Sequence, residues 1–334
     1  MKTLYRVLGI SGLAVLFLLG LIQGSRAEVI QMKFAHFGEE THPSHLAAKQ
    51  FAARVEQRTH GQVKITIYPA NALGSPPEQA EQVRLGAIDM NLPTQGALDK
   101  YVKAFSVVML PFIYDDYDHV HRVLDGPSMD WFSPLAEKQG FVILSNWEWG
   151  FRNLTNNKRP IHKPEDVKGL KIRTPPEIQL QAAMEALGAV VTKIAFPEVY
   201  MALAQNVVDG EENPIAVVYH NKFYEVQKHL ALTRHVYNNM IHVINTKSWA
   251  KLNAEQKKIF KEESKAAGAY MRKAIVAQEA DQIAKMEKAG MKVTRPKLAP
   301  FRAAMGPAYE RIGKYAGEDN VKKFMKFVEA ARKK

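Results

Sequence analysis

The chain has 334 residues, of which 46% are hydrophobic, and it contains no cysteine. This length is enough to bury the cores of roughly two domains, and the lack of cysteine excludes disulfide bonds, thiol catalysis and cysteine-ligated zinc. The formal charge of +12 comes from lysines and arginines spread along the sequence, which favours a soluble surface that attracts small anions over a nucleic-acid-binding surface.

Residues 1–27 have the pattern of an export signal. Lys2 and Arg6 stand at the start of an apolar run, 7–22, and the run is followed by a small-residue cleavage site that ends at Ala27. The run is shorter than the roughly 20 residues that a membrane-spanning helix needs. We therefore predict cleavage after Ala27 and a periplasmic location. Because the lost segment carries three cations and no acid, the mature charge falls from +12 to +9.

Strand and helix patterns alternate through the first part of the mature chain. Apolar and polar residues alternate at 30–34 and in VKITIY, residues 63–68, so both segments are predicted strands. Between them, residues 44–59 have the apolar face of a helix. A second helix is predicted to begin at Ser75, because Glu78 stands three residues later as a capping-box partner. IDMNLP is then predicted to form a buried strand.

The alternation continues in the second half, which makes α/β the predicted fold class. Strands are predicted for FVILSNWEW, GLKIRT and VVTKI, and helices for PPEIQLQAAMEALG and FPEVYMALAQNVV. MKVTRP and a final amphipathic helix, DNVKKFMKFVEAARKK, complete the chain. A much longer helical pattern, about 253–289, begins at Asn253 with Gln256 as its capping-box partner. Its irregular apolar spacing does not support a coiled coil. We therefore predict that it braces two lobes, which are joined by structured crossings because no low-complexity linker is present.

Motifs for cofactors and metals are absent. The mature chain contains no nucleotide-binding loop, zinc-protease motif or serine-hydrolase elbow. The best metal candidate is the segment 118–121, Asp-His-Val-His, but its side chains would point in different directions from a helix. His36, His42 and His45 lie close together in the sequence, but without a partner serine or cysteine for catalysis they are interpreted as loop or surface histidines. We predict no cofactor and no metal.

Two arginines lie where a strand ends, and they are the most informative residues of the chain. Arg152 ends an aromatic strand, and Arg173 ends LKIR before two prolines, which suits a ligand site at the carboxyl ends of strands. The alternative is that each arginine pairs with an internal acid such as Glu177 or Glu198. Two guanidinium groups that converge on one cleft repel each other by about 4 kcal/mol at about 4 Å. An anion is therefore needed between them, and a carboxylate bound through two hydrogen bonds fits best.

The chain resembles the DctP-type solute-binding proteins of tripartite ATP-independent periplasmic (TRAP) transporters. The resemblance covers essentially the whole mature chain and is carried by VMLPFIYDDYDHV, GFRNLTNNKRPIHKPEDVKGLKIRTPP, LGAVVTKIAFPEVYMALAQNVVDGEENP and the Ser248-Trp249 pair before the long helix. It implies a two-lobed, flytrap-like receptor whose long helix spans both lobes. It also implies that Arg173 forms the principal salt bridge to a ligand carboxylate, with Arg152 as a second contact. Asn213 and Phe196 match a ligand-contacting asparagine and aromatic residue.

The residues themselves leave some of these assignments open. Asn213 could lie in an ordinary turn, and Phe196 could belong to the core. Trp147 and Trp149 face the same way along a strand, so one is expected in the core and one on the pocket wall. In the first lobe, the specificity contacts are expected among loop residues that follow strands: Phe37, Glu39, Glu40, Glu78, Thr94 and Gln95.

The division into lobes follows from this architecture. Lobe 1 is predicted to comprise 28–149 with about 238–278, and lobe 2 to comprise 150–237 with about 279–334. The long helix, about 253–289, is shared between them. The predicted function is binding without chemistry: the lobes close on a small organic acid, and the receptor delivers it to a TRAP permease for uptake driven by an ion gradient. No nucleic acid is expected as a partner.

Two rival functions and several ligands stay open on the sequence alone. A binding protein of an ATP-driven importer has the same gross architecture. An exported enzyme could use the two arginines and a nearby tyrosine or glutamate to hold and deprotonate an acid. A paired-carboxylate hydrolase would need Glu211 and Glu212 on one side, yet neighbouring residues of a strand face opposite sides. The ligand could be a sugar acid, an aromatic or cyclic acid, or a dicarboxylate.

Overall fold

A computed structural model describes residues 28–332 of the chain, and the predicted export signal, residues 1–27, lies outside them. The described residues form an α/β structure with one nine-stranded sheet. The strands are β1 (Ile30–Ala35), β2 (Val63–Tyr68), β3 (Met90–Asn91), β4 (Phe141–Asn156), β5 (Lys171–Thr174), β6 (Val190–Lys193), β7 (Gly210–Pro214), β8 (His229–Asn245) and β9 (Lys292–Thr294).

Twelve α-helices of the described residues surround the sheet. They are α1 (Pro43–Arg58), α2 (Pro76–Leu85), α3 (Tyr117–Leu124), α4 (Pro127–Glu137), α5 (Ile178–Ala186), α6 (Val199–Ala204), α7 (Ile215–His220), α8 (Thr246–Ala250), α9 (Ala254–Lys288), α10 (Leu298–Ala303), α11 (Gly306–Ala316) and α12 (Glu318–Arg332). The α/β class predicted from the alternating patterns is confirmed.

Two long antiparallel strands join two parallel halves of the sheet. The order is β2-β1-β3-β8-β4-β7-β5-β6, with β9 also pairing with β8. β1 runs parallel to β2 and β3 in one half, and β5 runs parallel to β6 and β7 in the other. Both halves are attached to the β4–β8 pair, because β8 pairs with β3 and β4 pairs with β7. The chain therefore crosses between the halves within the sheet itself.

The β4–β8 ladder is irregular near its middle. Its register shifts between Glu148 and Gly150 and again between Arg152 and Leu154. Gly150 has a φ of +117°, a value that a residue with a Cβ rarely adopts. Such shifts interrupt the hydrogen-bonded ladder and bend the strand locally. Arg152 therefore lies between two interruptions of the ladder.

Helices cover both faces of the sheet over two separate hydrophobic cores. Along β4, Phe141 and Ile143 belong to one core, and Val142 and Leu144 contact the other. Since successive side chains of a strand point to opposite faces, the two cores lie on opposite sides of the sheet.

The long helix is confirmed as α9, and it contacts both halves of the molecule. Asn253 caps it, accepting a hydrogen bond from the Gln256 amide at 2.9 Å, as the capping-box pattern predicts. Near its start, Glu263 accepts a hydrogen bond from Arg58 of α1 at 2.8 Å. Near its end, Gln282 lies 3.3 Å from His220 of α7. At Gly268 a Cβ would stand only 2.7 Å from the Asn146 carbonyl oxygen, so glycine permits the close approach of α9 to β4.

Several elements differ from the predictions. β4 continues to Asn156, so Arg152 lies within a strand and does not end one as predicted. The strand predicted in IDMNLP is reduced to Met90–Asn91. The helix predicted from Phe196 begins as a 3₁₀ turn, Phe196–Glu198, and continues as an α-helix only over Val199–Ala204. The 17-residue strand β8 was not predicted at all, because polar residues interrupt its apolar pattern.

His36 and His42 lie in loops, as one of the two interpretations has it, but they are not surface residues. Both side chains are fully buried. His36 lies 3.2 Å from His45, and the His42 ring packs against the Trp149 ring with centroids 4.7 Å apart. Neutral imidazole packs as an aromatic ring, so a histidine without a catalytic partner can be a core residue.

Candidate functional site

A cavity of about 470 Å³ lies between the two halves of the molecule. One wall comes from loops of the half that contains β1, and the other from the ends of β5, β6 and β7 and the loops that follow them. Both arginines singled out from the sequence reach it, together with acids, lysines, aromatic residues and prolines. The lining residues are Phe37, Pro76, Pro77, Thr94, Ala97, Asp99, Lys100, Trp149, Arg152, Arg173, Pro175, Pro176, Glu177, Lys193, Ile194, Ala195, Phe196 and Asn213.

Arg152 is held in a buried ion pair. Its guanidinium donates to the Glu212 carboxylate, with one Nη2–Oε1 distance of 2.9 Å, and donates to Asn238 Oδ1 at 2.7 Å. Burial acts to raise the pKa of Glu212, but the attraction of Arg152 and hydrogen bonds from His235 and Arg152 outweigh it, so this pKa lies below its usual value. The internal-acid alternative thus applies to Arg152, with Glu212 as the partner.

Arg173 has no carboxylate partner among residues 28–332. Its Nε and Nη2 donate to the Ile194 carbonyl oxygen at 3.0 and 2.8 Å, and the side chain is almost fully buried. Burial lowers the pKa of Arg173 to about 10, and repulsion from Arg152 contributes. The guanidinium carbon lies 5.9 Å from the centre of the Phe196 ring. The cavity wall therefore contains a buried cation whose charge no partner neutralises directly.

Asn213 and the two glutamates before it lie on β7 beneath the arginines. Asn213 Nδ2 donates to Glu211, which also accepts a hydrogen bond from Thr155 Oγ1 at 3.2 Å. Burial, followed by repulsion from Glu212, raises the pKa of Glu211 to about 7. Glu211 and Glu212 have separate sets of partners, as expected for neighbours on a strand. Neither carboxylate lines the cavity, so they do not form the flanking pair that a glycosidase needs.

Glu177 lines the cavity, although sequence reasoning considered it only as a partner for an arginine. It accepts a hydrogen bond from Thr94 Oγ1 at 2.9 Å, and within 28–332 its other carboxylate oxygen has no hydrogen-bond partner. Burial raises the pKa of Glu177 to about 7, against the attraction of Arg152. The sequence signal that could have identified Glu177 as a cavity residue is its position directly after the two prolines that follow Arg173.

Three aromatic residues form one side of the cavity. The Phe37 ring lies 4.8 Å from the Trp149 ring and 5.4 Å from the Phe196 ring, measured between centroids. Trp147 lies in the core instead, where its indole nitrogen donates to the Ser264 carbonyl oxygen at 3.0 Å. Such a wall offers apolar contact to a ligand body that the polar groups orient.

Four of the expected first-lobe contacts lie outside the cavity lining. Glu39 borders a second, surface cavity of about 460 Å³, and Glu40 is exposed. Glu78 accepts hydrogen bonds from the Ser75 amide and hydroxyl, which caps α2 as predicted. Gln95 is buried and accepts a hydrogen bond from Asn239 at 2.7 Å. Of the six residues expected there, Phe37 and Thr94 line the cavity.

No metal site is present in the part of the chain that the structure describes, since no three His, Asp or Glu side chains cluster suitably. In the segment 118–121, His119 lies 2.9 Å from the Val328 carbonyl oxygen and His121 lies 2.8 Å from Glu148. A search of the described residues finds no helix that is long and apolar enough to cross a membrane.

Comparison with known proteins identifies the fold and the family. Residues 34–315 match the model of the bacterial extracellular solute-binding protein family 7, DctP. The sialic acid-binding periplasmic protein SiaP of Vibrio cholerae is 34% identical over 83% of this chain and 86% of its own. The 2,3-diketo-L-gulonate-binding periplasmic protein YiaO of Escherichia coli is 34% identical over 83% of this chain and 85% of its own.

A solved structure agrees with these sequence relatives. The TRAP periplasmic solute-binding protein from Polaromonas sp. JS666, bound to D-erythronate, superposes with a TM-score of 0.85 at 34% identity, covering 89% of this chain and 98% of that one. The two-lobed fold with a shared long helix is thereby confirmed, and so is a binding role in place of catalysis. The chain belongs to the bacterial extracellular solute-binding protein family 7 and is a solute-binding protein of the TRAP type.

Proposed function

We propose that this protein is a periplasmic receptor that binds a small organic acid through Arg173. The ligand carboxylate accepts hydrogen bonds from the Arg173 guanidinium, and Asn213 and Phe196 contact the same end of the ligand. The observation that carries this proposal is a buried guanidinium on a cavity wall without an anionic partner among the described residues. An anion there offsets the free-energy cost of burying the charge.

The relatives support a carboxylate as the ligand. Sialic acid, 2,3-diketo-L-gulonate and D-erythronate, named for the three proteins compared above, are all carboxylic acids. Arginine binds carboxylates through a planar pair of hydrogen bonds.

The role of Arg152 is mainly structural, through its hydrogen bonds to Glu212 and Asn238. Because Glu212 and Asn238 occupy its guanidinium, it has less capacity for a ligand than Arg173. Its positive charge still lies beside the cavity and favours an anion there.

Two contacts join the two predicted lobes across the cavity. Thr41 Oγ1 lies 2.9 Å from His220 Nδ1, and Thr94 donates to Glu177. We propose that these contacts form as the lobes close and that the ligand adds to them. A ligand drives closure only if it interacts more favourably with the closed state than with the open one. The lobe boundaries predicted from the sequence place these pairs on opposite sides of the cleft.

The location and the partner of the protein follow from its family. We propose that residues 1–27 direct export, that the mature protein acts in the periplasm, and that the closed receptor docks on the membrane subunits of a TRAP permease. Amino-terminal sequencing of the exported protein tests this directly, because cleavage after Ala27 leaves Glu28 as the first residue.

Thermal unfolding of the exported protein with a library of organic acids tests the binding role. At a hundredfold excess over its dissociation constant, a true ligand stabilises the protein by about 2.7 kcal/mol. Arg173→Gln should abolish this effect, while Arg302→Gln, a change at an exposed arginine outside the cavity, should preserve it. If the Arg173 variant responds to the same acid as strongly as the wild type, the proposed site is wrong.

A further inference from the structure

Glu177 has an unusual position for an acid at the start of a helix. It is the residue before α5, yet its side chain makes no hydrogen bond to the amides of that helix. Serine, threonine, aspartate and asparagine are the residues that normally cap a helix from this place, and glutamate is not one of them. The carboxylate instead reaches Thr94 on the other wall of the cavity. Helix capping therefore does not explain its presence.

Only one of the two carboxylate oxygens of Glu177 has a hydrogen-bond partner among the described residues. Its Oε1 accepts from Thr94, whereas Oε2 has no hydrogen-bond partner among residues 28–332. The residue is 6% exposed, so bulk water does not compensate freely. A Cβ at Gly96 would stand 2.5 Å from this oxygen, and glycine leaves room for the carboxylate there. A buried acceptor without a donor indicates that a ligand supplies one.

A second acid lies near Glu177, in addition to the Arg152 cation, whose attraction only partly offsets burial and the repulsion of the neighbouring acids. Asp99 also lines the cavity, and its two oxygens already accept hydrogen bonds, from Gln179 at 3.0 Å and from Tyr315 at 3.2 Å. The charge of Asp99 acts on Glu177 and raises its pKa further, as do burial and Glu212. A ligand carboxylate placed against this wall would meet two acids.

The lysines of the lining do not neutralise this wall. The Lys100 ammonium lies 4.5 Å from the centre of the Tyr101 ring and 3.9 Å from Glu81, which is outside the cavity lining. Lys193 is exposed to solvent. The cavity thus has a cationic part at Arg173 and an acidic part at Glu177 and Asp99.

We propose that Glu177 determines specificity by accepting a hydrogen bond from a hydroxyl group of the ligand and by excluding acids that place a second carboxylate there. The inference rests on the proposed binding of a carboxylate by Arg173. It assigns the ligand to the hydroxylated monocarboxylates, the class of the aldonic acids, and removes dicarboxylates from the alternatives that the sequence left open.

The protonation of Glu177 gives this proposal a second observable. Its pKa lies at about 7, and Thr94, Arg152, Asp99 and Glu212 are the groups that face it. A hydroxyl donor favours the ionised carboxylate, whereas a ligand carboxylate favours the protonated form. Discrimination against a diacid should therefore weaken as the pH falls from 8 to 6.

The experiment compares matched acids by titration calorimetry on the whole exported protein. D-erythronate is paired with meso-tartrate, and galactonate with galactarate. Each pair differs only by a terminal CH₂OH in place of a carboxylate. At pH 8 the wild type should bind the monoacid at least tenfold more tightly. Glu177→Gln should reduce that preference at least tenfold, and the two proteins should converge at pH 6, where a proton removes the same charge.

Two controls separate the possible failures. Glu198→Gln, at an exposed acid outside the cavity lining, should leave the preference unchanged. If the wild type prefers the diacids, binds only acids without hydroxyl groups, or keeps its preference in Glu177→Gln, the specificity role is overturned. Binding through Arg173 stands in those cases if Arg173→Gln weakens all acids alike. If no organic acid binds the wild type, the proposed function itself fails.

Discussion

Replacing Arg152 by methionine should destabilise the protein strongly, whereas replacing Arg173 should not. Arg152→Met removes the hydrogen bonds to Glu212 and Asn238 and leaves the Glu212 carboxylate buried without its cation. Breaking a buried ion pair from one side costs about 3–5 kcal/mol. We therefore expect the free energy of unfolding of this variant to fall by about that amount.

Arg173→Met should not lower the free energy of unfolding by a comparable amount. The fold lowers the pKa of Arg173 from its ordinary value in the unfolded chain to about 10, which means that the fold holds this charge at a cost of about 3 kcal/mol. That cost is present at any pH below both values, so it applies at neutral pH and is removed by the substitution. Against this gain stands the loss of the hydrogen bonds to the Ile194 carbonyl oxygen, a loss of about 1–3 kcal/mol. The difference between the two effects leaves a change of about 0–2 kcal/mol, in the direction of greater stability.

Urea unfolding of the ligand-free proteins, followed by fluorescence at pH 7, measures both changes as shifts of the midpoint at constant slope. The double variant Arg152→Met/Glu212→Gln should recover part of the loss, because it removes the unpaired charge. Equal losses for Arg152→Met and Arg173→Met would refute the division into a structural and a ligand-binding arginine.

Three further changes test the fold. Burial lowers the pKa of His242 to about 3, so the unfolded chain binds more protons below pH 6.5. The stability advantage of the wild type over His242→Asn should therefore shrink by about 1.4 kcal/mol for each pH unit from 6.5 to 4, and a constant difference would contradict this. Gly268→Ala should cost about 1–3 kcal/mol because its methyl group meets the Asn146 carbonyl oxygen at 2.7 Å. Gly313→Ala, in α11 with open space around it, should stabilise by up to about 1 kcal/mol. Asn253→Ala should cost about 1 kcal/mol through the lost cap of α9, and Asn253→Ser should restore most of it.

Local rules predicted the features that depend on neighbouring residues. The capping boxes at Ser75 and Asn253 lie within single turns of helix, so their sequence signatures suffice. Strand β5, which ends one residue after Arg173, was likewise found from its own residues. These predictions needed no knowledge of what packs against each segment.

The polar strand β8 could not be found in this way. Asn238, Asn239 and His242 lie inside it, fully buried, and each is paired with a group from a distant segment. Asn238 accepts a hydrogen bond from Arg152, 86 residues away in the sequence. Polar residues at buried positions break the apolar pattern on which strand prediction depends.

The partner of Arg152 was missed for the same physical reason. The sequence suggested Glu177 or Glu198 because they are near in the chain. The ion pair instead follows from the register of β4 against β7, in which Arg152 stands opposite Pro214 and Leu154 opposite Glu212. A carboxylate one diagonal step along the partner strand is close enough for a long side chain.

The interrupted ladder of β4 and β8 is where we expect the receptor to bend when its lobes close. Both lobes are attached to this strand pair, so we expect the pair to flex when one lobe rotates against the other. Its register shifts at Gly150 and beyond Arg152 interrupt the ladder, and we expect the pair to bend there. Atoms near a hinge move less than atoms far from it. Arg152 and its ion pair would therefore keep their positions through the swing, while the lobe tips travel far. An incoming acid would then meet a positive charge that is already in place in the open receptor, before the outer walls arrive.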